Sequence, residues 1–127
     1  MKASDIRMKA NDIRGTVITS DKESHVVDNN ELEGMTVSTT RIKAYKATKD
    51  YTRSVGEVYH FIAGSGLIYQ DGVATFVCDD DIVLVHKGVH GYITAGPYGL
   101  SLVCVFNGQR EALKQDPRTL PGYTESF

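Results

Sequence analysis

The residues best suited to chemistry in this sequence are gathered around Glu57. Glu57 begins an alternating stretch in which Tyr59 and Phe61 fall on the same face of a predicted strand, because successive side chains of a strand point to opposite sides. A carboxylate that shares a face with two aromatic rings is costly to bury unless it is paired or binds a metal. The alternative interpretation is a strand-end glutamate in water.

Tyr51 and Arg53 precede Glu57 and point to the same side of a regular strand. An interior arginine suits a substrate carboxylate, because its planar guanidinium group binds both oxygens at once. The rival interpretation is an Arg53–Glu57 ion pair that satisfies both side chains without a metal. Tyr51 could supply a phenolate oxygen to a metal or accept a proton.

His90 is the histidine that best complements Glu57. It follows Gly88 in a loop-like segment, and a neutral imidazole together with a carboxylate is a reasonable start for an Fe(II), Mn, Ni or Zn site. The alternative is a loop histidine bonded to backbone. His60 and His86 are expected on the outer surface.

Composition limits the classes of protein that remain. The chain has 127 residues, a length that indicates one domain over residues 1–127, with a core over about residues 34–107. It carries 14 Lys and Arg against 16 Asp and Glu, a net charge of −2. The near-neutral balance argues against a nucleic-acid partner, and no apolar run approaches the roughly 20 residues of a membrane helix. Cys78 and Cys104 lack a C-x-x-C spacing and no signal peptide precedes them, so we expect buried thiols in a cytoplasmic protein.

The pattern after residue 35 has the period of strands, whereas the first 35 residues are weakly patterned. Asp71-Gly72 is a hairpin signal, and Gly64 and Gly66 punctuate the stretch before it. This spacing of turn residues favours an all-β sandwich or barrel. The predicted strands cover residues 36–42, 57–62, 67–69, 73–77, 82–85, 91–94 and 100–106.

The order of these features resembles the cupin superfamily. Glu57, an aromatic strand, Gly64-Ser-Gly66 and then Asp71-Gly72 resemble the first cupin motif. Residues 87–92 resemble the second motif, in which a small turn places a histidine, here His90, into the barrel. The resemblance implies a small jelly-roll β-barrel. Where cupins place two histidines ahead of the glutamate, this chain has Tyr51 and Arg53; arginine cannot bind a cation, so a site of three histidines and a glutamate is excluded.

A narrower resemblance is to ectoine synthase, a cupin family. Residues 12–16 and 102–107 resemble the two ends of its sequence, and the strand ahead of Glu57 aligns without gaps. The resemblance implies closure of N-γ-acetyl-2,4-diaminobutyrate into ectoine with loss of water, using a divalent transition metal, Fe(II) above all. It assigns the metal to Glu57 and His90, the substrate pocket to Thr40, Cys104 and Phe106, and a C-terminal glutamate to Glu111. The family's metal-binding tyrosine and pocket tryptophan are missing.

The resulting hypothesis is a metal-dependent cyclodehydratase for a small zwitterionic or carboxylate substrate. The metal polarises the acetamido carbonyl and the substrate's amine attacks it, Thr40 and Arg53 hold the carboxylate, and Tyr51 or Glu111 accepts the proton. The alternatives are another metal-dependent cupin enzyme, such as an isomerase or oxygenase, and a non-catalytic binding cupin in which the Arg53–Glu57 pair replaces the metal. We also expect a homodimer to which residues 36–42 contribute.

Overall fold

The computed structural model describes residues 6–20 and 23–110, and strands dominate this part of the chain. A short 3-10 helix, Ala10–Asp12, precedes the first strand, and no helix among the described residues is long and apolar enough to cross a membrane. The strands are β1 (Thr16–Ser20), β2 (Ser24–Asn29), β3 (Met35–Ile42), β4 (Tyr51–Thr52), β5 (Glu57–Gln70), β6 (Val73–Cys78), β7 (Ile82–Val85) and β8 (His90–Asn107).

The strands form one antiparallel sheet in the order β1-β2-β3-β8-β5-β6, with β4 paired to β8 and β7 paired to β5. The two long strands β5 and β8 are the centre of this sheet, since they pair from Glu57 opposite Phe106 to Gln70 opposite Gly91. The all-β prediction is confirmed. The tight turn between β5 and β6 at Asp71-Gly72 is also confirmed, and both of its residues have positive φ angles, as a type I′ hairpin requires.

Two predicted breaks between strands were wrong, and two N-terminal strands were not predicted. Gly64 and Gly66 do not end a strand, because β5 continues through them with a shift in register. Gly64 has a φ of +88°, and a Cβ there would collide with the carbonyl of Gly99, so the glycine permits close approach of β8 instead of a break. In the same way β8 runs unbroken across the gap predicted between residues 94 and 100, and the weakly patterned N-terminal region forms β1 and β2.

One face of the strands encloses the core, and its alternation follows the predicted period of two. In β5 the buried residues Glu57, Tyr59 and Phe61 alternate with the more exposed Val58 and His60. This arrangement confirms the predicted faces of that strand. Large buried apolar side chains of the core include Val26, Phe61, Ile68, Ile93 and Leu102.

Candidate functional site

Polar side chains enter the interior where β3, β8 and β5 pair. Ser38 lies opposite Cys104, and Cys104 lies opposite Tyr59. Glu57 lies in the next row, opposite Phe106. Cross-strand neighbours share a face of the sheet, so this register directs the buried hydroxyl, thiol and carboxylate groups to one interior region.

Glu57 is held by two hydrogen bonds from opposite sides. The Tyr51 hydroxyl donates to Oε2 at 2.9 Å, and the Cys104 thiol donates to Oε1 at 3.1 Å. Glu57 is 7% exposed, and Tyr51 and Cys104 are also buried. The structure therefore brings the predicted catalytic residue Tyr51 and the predicted pocket residue Cys104 to the predicted metal ligand Glu57.

Both donors are kept protonated by their surroundings. Burial raises the pKa of the Tyr51 phenol, and the charge of Glu57 raises it further. Burial likewise raises the pKa of the Cys104 thiol well above its ordinary value, again with Glu57 adding to the effect. At neutral pH the two groups are therefore hydrogen-bond donors to the carboxylate, and the Cys104 thiolate that a nucleophile would require is disfavoured.

Arg53 points inward as predicted and is 3% exposed. Its guanidinium carbon lies 4.3 Å from the centre of the Tyr51 ring and 5.7 Å from that of the Tyr59 ring, within the range of cation–π attraction. Nη1 also donates to the Tyr51 carbonyl at 3.3 Å. The ion pairs within the described part of the chain do not include a direct Arg53–Glu57 bridge. The guanidinium instead lies near the two aromatic rings beside the carboxylate.

A second buried arginine was missed by the sequence analysis. Arg110 makes a two-pronged ion pair with Asp28, at 2.7 Å from Nε to Oδ2 and 3.0 Å from Nη2 to Oδ1. Burial alone would lower the pKa of Arg110, but hydrogen bonds and charge from Asp28 outweigh it and the pKa is raised. The signal for Asp28 was its spacing from Val26, which places both on the inner face of β2.

These side chains leave a very small cavity between them, about 10 Å³ in volume, which is the space of roughly one water molecule. The predicted substrate contact Thr40 lies on its wall, and the other predicted contact Phe106 packs its ring 5.2 Å beneath the Arg110 guanidinium carbon. A larger ligand must therefore displace side chains. The cavity is lined by Ser38, Thr40, Tyr51, Glu57, Tyr59, Leu102, Cys104 and Arg110.

The structure does not bring His90 to Glu57, so the predicted pairing of these two as metal ligands needs correction. His90 pairs with Thr52 on the side of β8 that faces away from the core, and its ring is 43% exposed. Nδ1 lies 3.2 Å from the Thr52 hydroxyl, and Nε2 lies 3.5 Å from an Asp50 oxygen. The physical reason is strand alternation, since its neighbour Gly91 takes the inward position. Glu111 lies outside the described residues.

The inward residues do not fit the divalent metal that the sequence analysis expects. No three His, Cys, Asp or Glu side chains converge within residues 6–20 and 23–110. Both oxygens of Glu57 accept hydrogen bonds from groups that remain protonated. Arg110 lines the same cavity, and Arg53 lies over the Tyr51 ring. Among the described residues, a cation in this cavity would find one carboxylate, that of Glu57, already engaged by two donors, which is a poor donor set.

Comparison with known proteins shows which solved structures share this fold. No family model and no curated protein match the sequence. Similar solved structures include an RmlC-like cupin from Shewanella frigidimarina, at 14% identity and a TM-score of 0.67 over 78% of this chain and 88% of that one. KdgF from Halomonas sp. aligns at 6% identity and a TM-score of 0.66 over 76% of this chain and 89% of that one. A tryptophan-to-tyrosine variant of oxalate decarboxylase from Bacillus subtilis aligns at 17% identity and a TM-score of 0.70 over 78% of this chain but 29% of that one. The chain therefore has the jelly-roll fold of the cupins.

Proposed function

We propose that this protein is a small-molecule cupin enzyme of the ectoine-synthase type. Its reaction would close N-γ-acetyl-L-2,4-diaminobutyrate, or a similar small amino-acid derivative, into a ring with loss of water. The observation that carries the proposal is the buried Glu57 carboxylate held between the Tyr51 hydroxyl and the Cys104 thiol. The similar fold of oxalate decarboxylase, an enzyme named for a small dicarboxylate, supports a small carboxylate substrate.

The proposed reaction needs one proton acceptor and one proton donor at adjacent positions. The substrate's neutral α-amine attacks the acetamido carbon, and Glu57 takes a proton from this nitrogen as the C–N bond forms. Tyr51 gives its hydroxyl proton to the carbonyl oxygen. Glu57 then passes the proton that it took from the nitrogen to the Tyr51 oxygen, along their 2.9 Å hydrogen bond. A second proton follows the same route from the nitrogen to the new hydroxyl group. The C–O bond then breaks, water leaves, and the electron pair on the attacking nitrogen turns the new C–N bond into the C=N bond of the ring.

Binding the substrate would move Arg53. The guanidinium now lies over the Tyr51 ring, and the cavity beside Glu57 holds about 10 Å³. The planar guanidinium of Arg53 suits a substrate carboxylate, because the two groups can form a two-pronged ion pair. Thr40 contributes a hydroxyl and Phe106 an apolar wall. Ring closure within one molecule then gains most of its rate from holding the folded conformer.

No step of this mechanism is assigned to a metal, because the inward side chains of residues 6–20 and 23–110 do not fit one. Acid–base catalysis by a positioned pair contributes about 10²–10⁴-fold, and orientation of the two reacting ends supplies more. Both cysteines of the chain are free thiols, which supports a cytoplasmic location for such an enzyme.

A second candidate is a non-catalytic cupin that binds a small anionic ligand. The specific observation in its favour is the tight packing around Glu57, where the side chains satisfy each other and leave little space. Such a protein would bind the substrate or ectoine without converting one into the other. Turnover therefore separates the two candidates.

The test is product formation by the purified full-length chain. We expect proton NMR to show conversion of N-γ-acetyl-L-2,4-diaminobutyrate into ectoine, with release of one water per ring. N-δ-acetylornithine, which is longer by one methylene, is the matched control and should react more slowly because its ring is larger. Binding of either compound without conversion would favour the non-catalytic candidate, and no binding would reject both.

A further inference from the structure

Tyr59 carries a hydroxyl group that the described structure leaves without a hydrogen-bond partner. The residue is 1% exposed, and its oxygen has no partner among the described residues. Its ring packs edge-on against Phe61 at 6.3 Å between centres and lies beneath Arg53. The side chain also lines the small cavity that contains Glu57 and Tyr51.

An unsatisfied buried hydroxyl is costly, so its retention needs a reason. A buried donor left unpaired loses its hydrogen bonds to water without replacement, whereas phenylalanine would fill nearly the same space without that cost. Buried polar groups are nearly always paired, and exceptions often mark sites that act on ligands. Tyr59 therefore stands out from Tyr51, whose hydroxyl is bonded to Glu57.

We infer that the Tyr59 hydroxyl is a direct ligand contact, which donates a hydrogen bond to a carbonyl or carboxylate oxygen of the molecule bound beside Glu57. This inference rests on the proposed function and names a residue that selects for an oxygen acceptor in the ligand. The hydroxyl is a buried donor with no acceptor among the described residues, so it gains a hydrogen bond when a ligand supplies one. In the proposed reaction that acceptor is the acetamido oxygen, shared with Tyr51.

The experiment uses the full-length protein labelled with ¹³C at the ζ carbon of tyrosine, whose chemical shift responds to hydrogen bonding of the hydroxyl. Tyr59→Phe assigns the Tyr59 resonance, and Tyr69→Phe is the matched control because Tyr69 stacks on Tyr92 at 4.4 Å on the more exposed face of β5. The probes are N-γ-acetyl-L-2,4-diaminobutyrate, ectoine and acetamide. We expect at least one probe to shift the Tyr59 resonance, and Tyr59→Phe to weaken its binding about tenfold.

Thermal unfolding without a probe supplies an independent readout. Removing an unsatisfied hydroxyl should leave the midpoint of Tyr59→Phe unchanged or higher, whereas Tyr51→Phe should lower it. No shift of Tyr59 with any probe would overturn the inference. A midpoint for Tyr59→Phe as low as that of Tyr51→Phe would also overturn it, since the hydroxyl would already have a partner. A shift with acetamide alone would support the inference while rejecting the proposed ectoine-type substrate.

Discussion

Tyr51 donates a 2.9 Å hydrogen bond to Oε2 of Glu57 in the interior of the barrel. The two residues come from separate strands, because Tyr51 lies in the two-residue strand β4 and Glu57 begins β5. Pairing of Tyr51 with Gly91 holds the tyrosine in place, and pairing of Glu57 with both Val85 and Phe106 holds the carboxylate. A proton donor and a proton acceptor are thus fixed by backbone hydrogen bonds, which is the preorganisation that acid–base chemistry requires.

Arg53 is expected to hold the substrate carboxylate. Arg53→Lys should preserve the fold but lose the two-pronged geometry, which weakens substrate binding by about 1.5–3 kcal/mol. Isothermal titration with the substrate measures this change. Equal affinity of Arg53→Lys and wild type would contradict the assignment.

The same residue tests the ion-pair alternative. Because Arg53 does not bridge Glu57 directly, the double-mutant cycle of Arg53→Met and Glu57→Gln should give a coupling free energy of unfolding below about 1 kcal/mol. A coupling of about 3–5 kcal/mol, as for a broken buried pair, would instead favour a barrel in which Arg53 replaces a metal. Chemical denaturation of the four proteins measures the cycle.

The Asp28–Arg110 pair should be essential to stability. Asp28 is 1% exposed, so Asp28→Asn leaves a buried guanidinium charge without its carboxylate and should cost about 3–5 kcal/mol of unfolding free energy. Asp50→Asn, at a half-exposed position, is the matched control and should change stability by less than about 1 kcal/mol. Equal unfolding midpoints for the two variants in urea would refute this role.

Stability should fall at alkaline pH. Folding raises the pKa values of Cys104, Tyr51 and Tyr59 above their ordinary 9.0 for the thiol and 10.0 for the phenols. The unfolded chain therefore loses these protons first, and the stabilisation present below pH 9 declines as the pH rises above it. Urea unfolding between pH 8 and 10.5 measures the decline, and Cys104→Ser should reduce it. A flat profile in the wild type would contradict the buried, protonated cluster.

A homodimer remains a prediction. Val58, Ile82 and Leu84 are apolar and exposed on the outer face of β5 and β7, and Val58 lies opposite Leu84. A second copy could cover this face. Residues 36–42 could contribute, because Val105 lies between Val58 and Val37 in the same row of cross-strand neighbours. Light scattering should give about twice 14.0 kDa for the wild type, and Leu84→Glu should give the monomer. A wild-type monomer at all concentrations would refute the dimer.

Alternation along a strand predicted most of the site, because it depends only on local sequence. It placed Glu57, Tyr59 and Arg53 inside and His60 outside. Alternation could not predict the position of Arg110, because its partner Asp28 is 82 residues away in the sequence. Asp28 itself was missed because β2 was not recognised as a strand. The motif placed His90 inside, whereas the register of β8 gives that position to Gly91. The glycine spacing suggested a break in the strand at Gly64. The structure instead needs glycine there because the backbone of Gly99 approaches too closely for a Cβ atom.

Ring closure by three matched proteins, each dialysed against a chelator, tests the central claim most directly. Wild type, Glu57→Gln and His90→Gln are incubated with N-γ-acetyl-L-2,4-diaminobutyrate, and ectoine is followed by proton NMR. Glutamine keeps the size of Glu57 but cannot accept the proton, so we expect that variant to be at least about 100-fold slower. Wild type and His90→Gln should react at equal rates, because His90 faces away from the core. Full activity in Glu57→Gln, or activity that disappears with the chelator and with His90→Gln, would contradict the account.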